Sequence, residues 1–376
     1  MTNTQILILT ASFGDGHLQA SRALKMSFLE RGIGNVNVID LLKEAHPVLN
    51  VISRKLYITS TKTLKYGLDY YGWSYYVTRN NNHYRPWSKY FNYLGQKKLK
   101  EIIDEVKPEA IVNVFPFGAA PEVASERGIS TFTILTDYAL HSRWLHLYTD
   151  KYYVATKELK IELLKKGFNE NQIEVTGIPI REAFYHVSKT DNSFVRLLDP
   201  EKKTVMIAAG AYGVLNDLDS IIKSLQTRIQ CQIVIVCGRN EKMKQTLRNA
   251  YETNSDVHIF GFVENMQDLM SVSSCIITKA GGLTLTEALT LSLPVFIFKP
   301  FGGQEKENAL FFQHKGIARI SRNLKQLEED IFAFLTDDVC AEEIRSKMAA
   351  LRKEHAADRI ASDILQTIMG RKPYGT

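Results

Sequence analysis

The sequence predicts an α/β protein made of two doubly wound parallel sheets, one after the other along its 376 residues. Three observations carry that reading. The length exceeds what one ordinary hydrophobic core sustains. Short β-rich apolar runs alternate with stretches of helical period, as strand–helix–strand crossovers do. The alternation dissolves in "TGIPIREAFYHVSKTDNSF" and restarts at "KTVMIAAGAYGVL", which places a linker near residues 185–202.

In chain order, "QILILT" reads as a buried strand and "LQASRALKMSFLERG" as an amphipathic helix that Gly32 ends. "NVNVIDLL" is a second strand, and "EAIVNVF", "STFTILTD" and "KYYVAT" are further short strands. "KELKIELLKKGF" is a helix stopped at Gly167. In the second half, "KTVMIAA", "CQIVIVCG", "VHIFGFV", "SCIITKAGG" and "LPVFIFKP" are strands with helical stretches between them. The expected domains are 1–190 and 200–344, and a last helical segment, 345–376, is a candidate to pack back on the first. Two such domains facing each other put the carboxyl ends of both sheets on one interdomain cleft, where ligands of open α/β sheets bind.

Composition narrows the class. Hydrophobic residues at 45% and charged residues at 23% suit a soluble globular chain and exclude disorder. Four cysteines (Cys231, Cys237, Cys275, Cys340) form neither a disulfide framework nor a Cys-x-x-Cys site, so a reducing cytoplasm is expected. "MTNTQILILT" lacks the basic start and apolar length of a signal peptide. No run reaches the roughly 18 apolar residues of a spanning helix, so membrane contact would be peripheral.

The net charge of +6 is local. Residues 50–100 hold ten Lys/Arg against one acid, Asp69, and the rest of the chain is net negative. The same segment has twelve aromatics, including two of the three tryptophans. Tyr and Trp favour the headgroup region of a bilayer, and Lys/Arg are drawn to anionic lipid. Single-stranded nucleic acid is the rival partner and a solvated helical face the plain alternative. An anionic membrane surface, and no nucleic acid, is expected.

Glycine-rich turns behind strands mark the chemistry. "CIITKAGGLTLTEALTL" ends a strand at Lys279, and Gly281 and Gly282 allow close backbone approach. A helix then opens, offering its unpaired N–H groups to an anion. Thr284 lies in its first turn, and Glu287, about a turn in, suits a ribose diol; a tight turn with a helix-favouring glutamate is the alternative. "AAGAYGVL" (Gly210, Gly213) repeats the arrangement. "CGRN", with Arg239, and "GFVEN" end two more strands on the same edge, and Phe262 and Val263 could pack a nucleobase. In "PFGGQEKENALFF", Gln304, Glu305 and Asn308 suit a polyhydroxylated ligand, or are polar residues of a helix start. "DLD" at Asp217–Asp219 mimics a metal-binding Asp-x-Asp, but sits in a polar helix start and is expected to be solvated. His141 and His146 lack a carboxylate or thiol at ligand spacing.

"TASFGDGHLQA" is a different turn. Gln19 stands where a dinucleotide fingerprint needs its third glycine, and the Gly-Lys-Ser/Thr of a P-loop is absent. His17 opens the helix instead. At a strand end it is either a general base or a histidine capping local backbone, and a helix N-terminus favours its neutral form. Asp137, ending "FTILTD", is placed to orient that imidazole or to be the base itself.

Taken together, "ILTASFGDGH", "TDYALHSRW", "KYYVAT", "TGIPI", "ITKAGGLTLTEA" and "GQEKENALFF" resemble the bacterial processive diacylglycerol glucosyltransferases. These are relatives of the plant galactolipid synthases and the lipid II GlcNAc transferase. The resemblance runs over nearly the whole chain. It implies a glycosyltransferase B fold with two facing Rossmann-like domains and a cleft between them. It implies a UDP-sugar in the second domain, a diacylglycerol acceptor in the first, inversion at the anomeric carbon and no essential metal or other cofactor. By position, Gly281, Gly282 and Thr284 would hold the diphosphate, Glu287 the ribose, Gln304 and Glu305 the sugar, with Gly210 and Gly213 closing over the phosphates. UDP-glucose is the expected donor, with diacylglycerol and then monoglucosyldiacylglycerol as acceptors, at the cytoplasmic face of the cell membrane. The β-1,6-linked diglucosyl product is a lipoteichoic acid anchor. A UDP-galactose enzyme and a non-catalytic UDP-sugar sensor are the alternatives.

Overall fold

The computed structural model describes residues 4–12, 15–45, 75–76, 79, 95–188, 192–209 and 218–370. The chain divides into two compact units, Met1–Glu182 with Lys353–Thr376, and Ala183–Arg352. The first division thus falls just before the expected linker. The second falls inside the expected last helical segment.

In the first unit, β1 (Gln5–Thr10), β2 (Asn35–Asp40), β3 (Ala110–Asn113), β4 (Ser130–Ile134), β5 (Lys151–Val154) and β6 (Ile173–Val175) form one sheet in the order β2-β1-β3-β4-β5-β6. Every pairing is parallel. Ile6, Leu7, Ile8 and Leu9 are all fully buried, which is why the opening run carries no polar alternation. Helix α1 (Gly16–Glu30) comes after β1, and the chain leaves it through Gly32 at φ 80, a conformation a glycine adopts without strain. Strand β2 is shorter than "NVNVIDLL" suggests. The Asp40 carboxylate accepts the Lys43 N–H at 3.0 Å and starts α2 (Leu41–Ala45), so Leu41 and Leu42 are helical. Helices α3 (Gln96–Val106), α4 (Ala119–Ser125) and α5 (Lys157–Lys165) complete the crossovers seen.

The second unit has β7 (Lys203–Ala208), β8 (Cys231–Val236), β9 (Val257–Phe260), β10 (Cys275–Thr278), β11 (Val295–Phe298) and β12 (Ala318–Ser321). Their order is β12-β11-β10-β7-β8-β9, again parallel, which is the strand order of a Rossmann sheet. Its helices are α6 (Leu218–Arg228), α7 (Glu241–Tyr251), α8 (Met266–Ser271), α9 (Gly282–Thr290), α10 (Gln304–His314), α11 (Leu324–Thr336) and α12 (Asp338–Leu351). On one face, Ile233, Ile235, Ile277 and Phe296 pack with Ile221 and Leu225 of α6 and Ile331 and Phe334 of α11.

The last stretch of sequence is two helices. Helix α12 stays with the second unit, and α13 (Ala356–Gly370) belongs to the first, where it packs on α1. Ile360, Ala361 and Ile364 form its fully buried stripe. Arg31 grips Asp358 at 2.7 Å, and Asp363 receives the Lys151 ammonium at 2.7 Å and the Tyr153 hydroxyl at 2.6 Å.

Each sheet reverses its strand order once, between β1 and β3 in the first unit and between β7 and β10 in the second. Ligands of such sheets bind where the strand ends part at that reversal.

Candidate active site

In the second unit the reversal point lies beside the predicted glycine turn. Strand β10 ends at Thr278, and Gly281 caps α9 with φ −70 and ψ 132 and no side chain of its own to satisfy the helix N–H groups. A Cβ built on Gly281 would meet nothing within 4 Å, so the turn borders open space. Gly282 begins the helix, Thr284 sits half-buried in its first turn, and Glu287 half-buried about a turn further on. The arrangement offers backbone donors and a positive helix end to an anion, with a carboxylate nearby. Gly210 and Gly213, expected at the end of β7, lie outside the described residues, as does most of the basic aromatic segment 50–100.

Helix α10 leans on the same turn. Asn308 is fully buried and donates from Nδ2 to the Ala280 carbonyl at 3.1 Å. The sequence suggests Asn308 as a ligand group. The structure makes it a strut, because it shares the buried stripe of α10 with Ala309 and Phe312. Gln304 and Glu305 open that helix, both half-buried. The Glu305 carboxylate receives the Lys279 ammonium at 3.2 Å. The sequence reading did not single out Lys279, although a cation inside the strand-to-glycine turn "TKAGG" was the available signal.

At the ends of β8 and β9, the Arg239 guanidinium lies 5.1 Å from the Phe262 ring centroid. Phe262 is half-exposed, and Val263 is its half-buried neighbour. That is a flat face suited to stacking, where a cation over a ring contributes roughly 0.5–1 kcal/mol. Asp219 of the "DLD" triplet is exposed, as expected for a solvated helix start. It pairs with Lys223 at 2.7 Å and accepts the Tyr251 hydroxyl at 2.7 Å.

In the first unit, His17 stands in the first turn of α1 at the β1/β3 reversal. Its Nδ1 lies 2.9 Å from the Val114 carbonyl, just past β3, and 3.0 Å from Thr136 Oγ1, just past β4. A carbonyl only accepts, so Nδ1 carries the proton and Nε2 the lone pair. Among the described residues Nε2 makes no hydrogen bond. Phe115, at 5.2 Å, and the buried Trp144, at 6.3 Å between centroids, flank the ring. Burial lowers the His17 pKa to about 4, against a smaller opposite pull from the Val114 carbonyl. Burial thus favours the neutral form expected from the sequence, by desolvation rather than through the helix N-terminus. Its orienting partners differ from the expected one. Val114 and Thr136 hold the ring, whereas Asp137 is the next residue and is itself buried. Ser12 anchors the preceding turn by donating from N to Asp40 at 3.0 Å.

His141, by contrast, accepts the Arg143 N–H at Nδ1, so it holds the opposite tautomer. Its pKa is also lowered to about 4, chiefly by burial and next by Arg143.

Fold and strand-end chemistry together define a glycosyltransferase B architecture, and solved structures agree. The S. aureus MnaA–UDP co-structure is similar with a TM-score of 0.65 at 13% identity, over 98% of this chain and 99% of that one. Acinetobacter baumannii MurG gives 0.60 at 15% over 96% and 99%, and the kitacinnamycin glycotransferase 0.66 at 13% over 98% and 100%. The family described as monogalactosyldiacylglycerol (MGDG) synthase matches residues 17–180, and the glycosyltransferase family 28 C-terminal domain matches residues 204–364. A processive diacylglycerol beta-glucosyltransferase of Bacillus thuringiensis (strain Al Hakam) is 38% identical over 97% of this chain and 94% of its own length. One from Bacillus cereus (strain AH820) is 38% identical over 96% and 94%. The chain belongs to the family of processive diacylglycerol beta-glucosyltransferases.

Proposed function

We propose that the protein transfers glucose from UDP-glucose to diacylglycerol with inversion, and then extends its product to the β-1,6-linked diglucosyl lipid. The observation that carries this is the 38% identity, over 97% of the chain, to an enzyme named for that processive transfer. The acceptor hydroxyl oxygen attacks the anomeric carbon and the bond from that carbon to the diphosphate oxygen breaks. The electron pair leaves with UDP, and the hydroxyl proton passes to a base.

In this reading His17 is the base and takes the proton at Nε2. Its tautomer is already set, and apolar rings around it keep it neutral. The N–H groups of α9 from Gly282 onward, with Thr284, hold the diphosphate, and Glu287 holds the ribose. Gln304 and Glu305 read the sugar, and Phe262 with Arg239 and Val263 packs the base. Gly210 and Gly213 close over the phosphates. The helix end, rather than a divalent ion, offsets the charge of the leaving diphosphate, so activity should persist in chelator.

Among the described residues no helix is long and apolar enough to cross a membrane. The ten cations and twelve aromatics of residues 50–100 support peripheral docking on an anionic surface at the cytoplasmic face. A UDP-galactose donor is the second reading, favoured by the MGDG synthase match over residues 17–180.

The test is mass spectrometry of lipids after purified protein meets diacylglycerol vesicles with UDP-glucose or, separately, UDP-galactose. Mono- and dihexosyl products from UDP-glucose alone are expected. Products from UDP-galactose alone would establish the second reading, and neither, with UDP still bound, would leave a UDP-sugar sensor.

A further inference from the structure

The ion pair of Lys279 and Glu305 joins two elements that the donor reading uses for different parts of one molecule. Lys279 leaves β10 just before the glycine turn, and Glu305 opens α10. Their side chains are only 18% and 13% exposed, so this is not an ordinary surface pair. A carboxylate this poorly exposed is held in place by its cation. The Lys279 ammonium also lies 5.7 Å from the Phe301 ring, on the chain that leads into α10. Asn308, bonded to Ala280, makes a second tie between the same helix and the same turn. Two side-chain ties therefore register the first turns of α10 against the glycine turn. One of them, Asn308, is neutral and buried. The other ends on a carboxylate at the helix mouth.

We propose that Lys279 is the positioning residue for donor-sugar recognition: it fixes the Glu305 carboxylate against the sugar hydroxyls and makes no contact that bare UDP needs. This rests on the donor reading above. Were Lys279 instead a diphosphate ligand, its ammonium would be required by UDP and UDP-sugar alike. The two roles therefore separate in binding, without recourse to turnover.

The experiment is calorimetry of UDP and of UDP-glucose on the full chain, wild type against Lys279→Met, Lys279→Arg and Glu305→Gln, with thermal melts to confirm folding. Lys279→Met should weaken UDP-glucose about tenfold and change UDP less than about twofold, and Glu305→Gln should give the same split. Lys279→Arg should recover most of the loss, since a guanidinium also pairs with a carboxylate. Among variants still turning over, KM for UDP-glucose should rise more than kcat falls. Equal weakening of UDP and UDP-glucose by Lys279→Met would overturn the proposal and give the lysine to the diphosphate. No change in either ligand would overturn it too, leaving the pair without a part in binding. If Lys279→Met does not fold, Lys279→Gln carries the test, because it keeps a polar side chain at that position and removes only the charge. A wild type that shows the contrast but makes no hexosyl lipid would sink the functional reading and leave the role of Lys279 standing.

Discussion

The two sheet reversals are alike in topology and opposite in chemistry. At β1/β3 the first unit presents one uncharged imidazole, flanked by Phe115 and Trp144 and pinned through a single nitrogen. At β7/β10 the second presents helix N–H groups, a glycine with open space in front of it, and a partly buried ion pair. A site that must accept a proton from a neutral hydroxyl gains from dryness, because burial keeps its base uncharged. A site that must hold a diphosphate gains from fixed dipoles, which need no titratable group at all. On the proposed reading, one scaffold supplies both halves of a transfer reaction by changing the turn at the end of a central strand.

The largest expected effect lies at the imidazole. His17→Ala should lower lipid glucosylation by about a thousandfold, in the range a positioned general base supplies, while UDP affinity stays within about twofold. Rates from labelled UDP-glucose and calorimetry of UDP measure the two halves separately. Turnover near wild type would move the base to Asp137, which Asp137→Asn then tests. A loss of UDP binding in step with turnover would break the division of labour between the units. The glycine turn gives a cleaner but smaller probe. Gly281 has an ordinary φ of −70, and an added Cβ meets nothing, so Gly281→Ala should leave the melting temperature unchanged. The new methyl would occupy donor space and should weaken UDP about tenfold or more. Unchanged UDP affinity would mean that the diphosphate lies elsewhere.

Sequence and structure agree best where one local signal decides the outcome. The central strands β1, β7, β8 and β10 are runs of mostly apolar, buried residues and can be read directly. Edge strands β6 and β12 cannot. Each has only three or four residues, and β6 mixes Glu174 with two apolar neighbours in "IEV". The glycine turn and His17 were legible because backbone freedom and strand-end position are local properties. Thr136 as the partner of His17, Lys279 as the partner of Glu305 and Asn308 as a strut were not, since each contact joins separate elements. Asn308 did carry a hint. It lies one and four residues before Ala309 and Phe312, on the face of α10 that faces inward.

Acid sharpens the comparison through stability. His17 and His141, both of the first unit, titrate near 6.5 when unfolded and near 4 when folded. Between those values the unfolded chain binds more protons, so stability is complete above about pH 6.5 and falls as pH drops towards 4. In the second unit His258 is lowered in the same sense, by burial against the opposite pull of Asp256, but the carboxylates there are poised differently. Asp219, held below the usual carboxylate range by Lys223 and then Tyr251, and Glu328, held down by Ser224 with Arg228, lose their stabilising charge only at lower pH. No tryptophan occurs between Ala183 and Arg352, and Trp144 is buried in the first unit, so tryptophan fluorescence does not report the second unit. The tryptophan melting transition should fall by on the order of 10 °C from pH 7 to pH 4.5. Far-ultraviolet circular dichroism, which sees both units, should resolve a second transition that moves less. His141→Gln, which removes one of the two protonations and leaves His17 in place, should recover about half of that shift. Equal acid shifts in both transitions would dissolve the contrast, because the dry imidazoles would then no longer distinguish the first unit from the second.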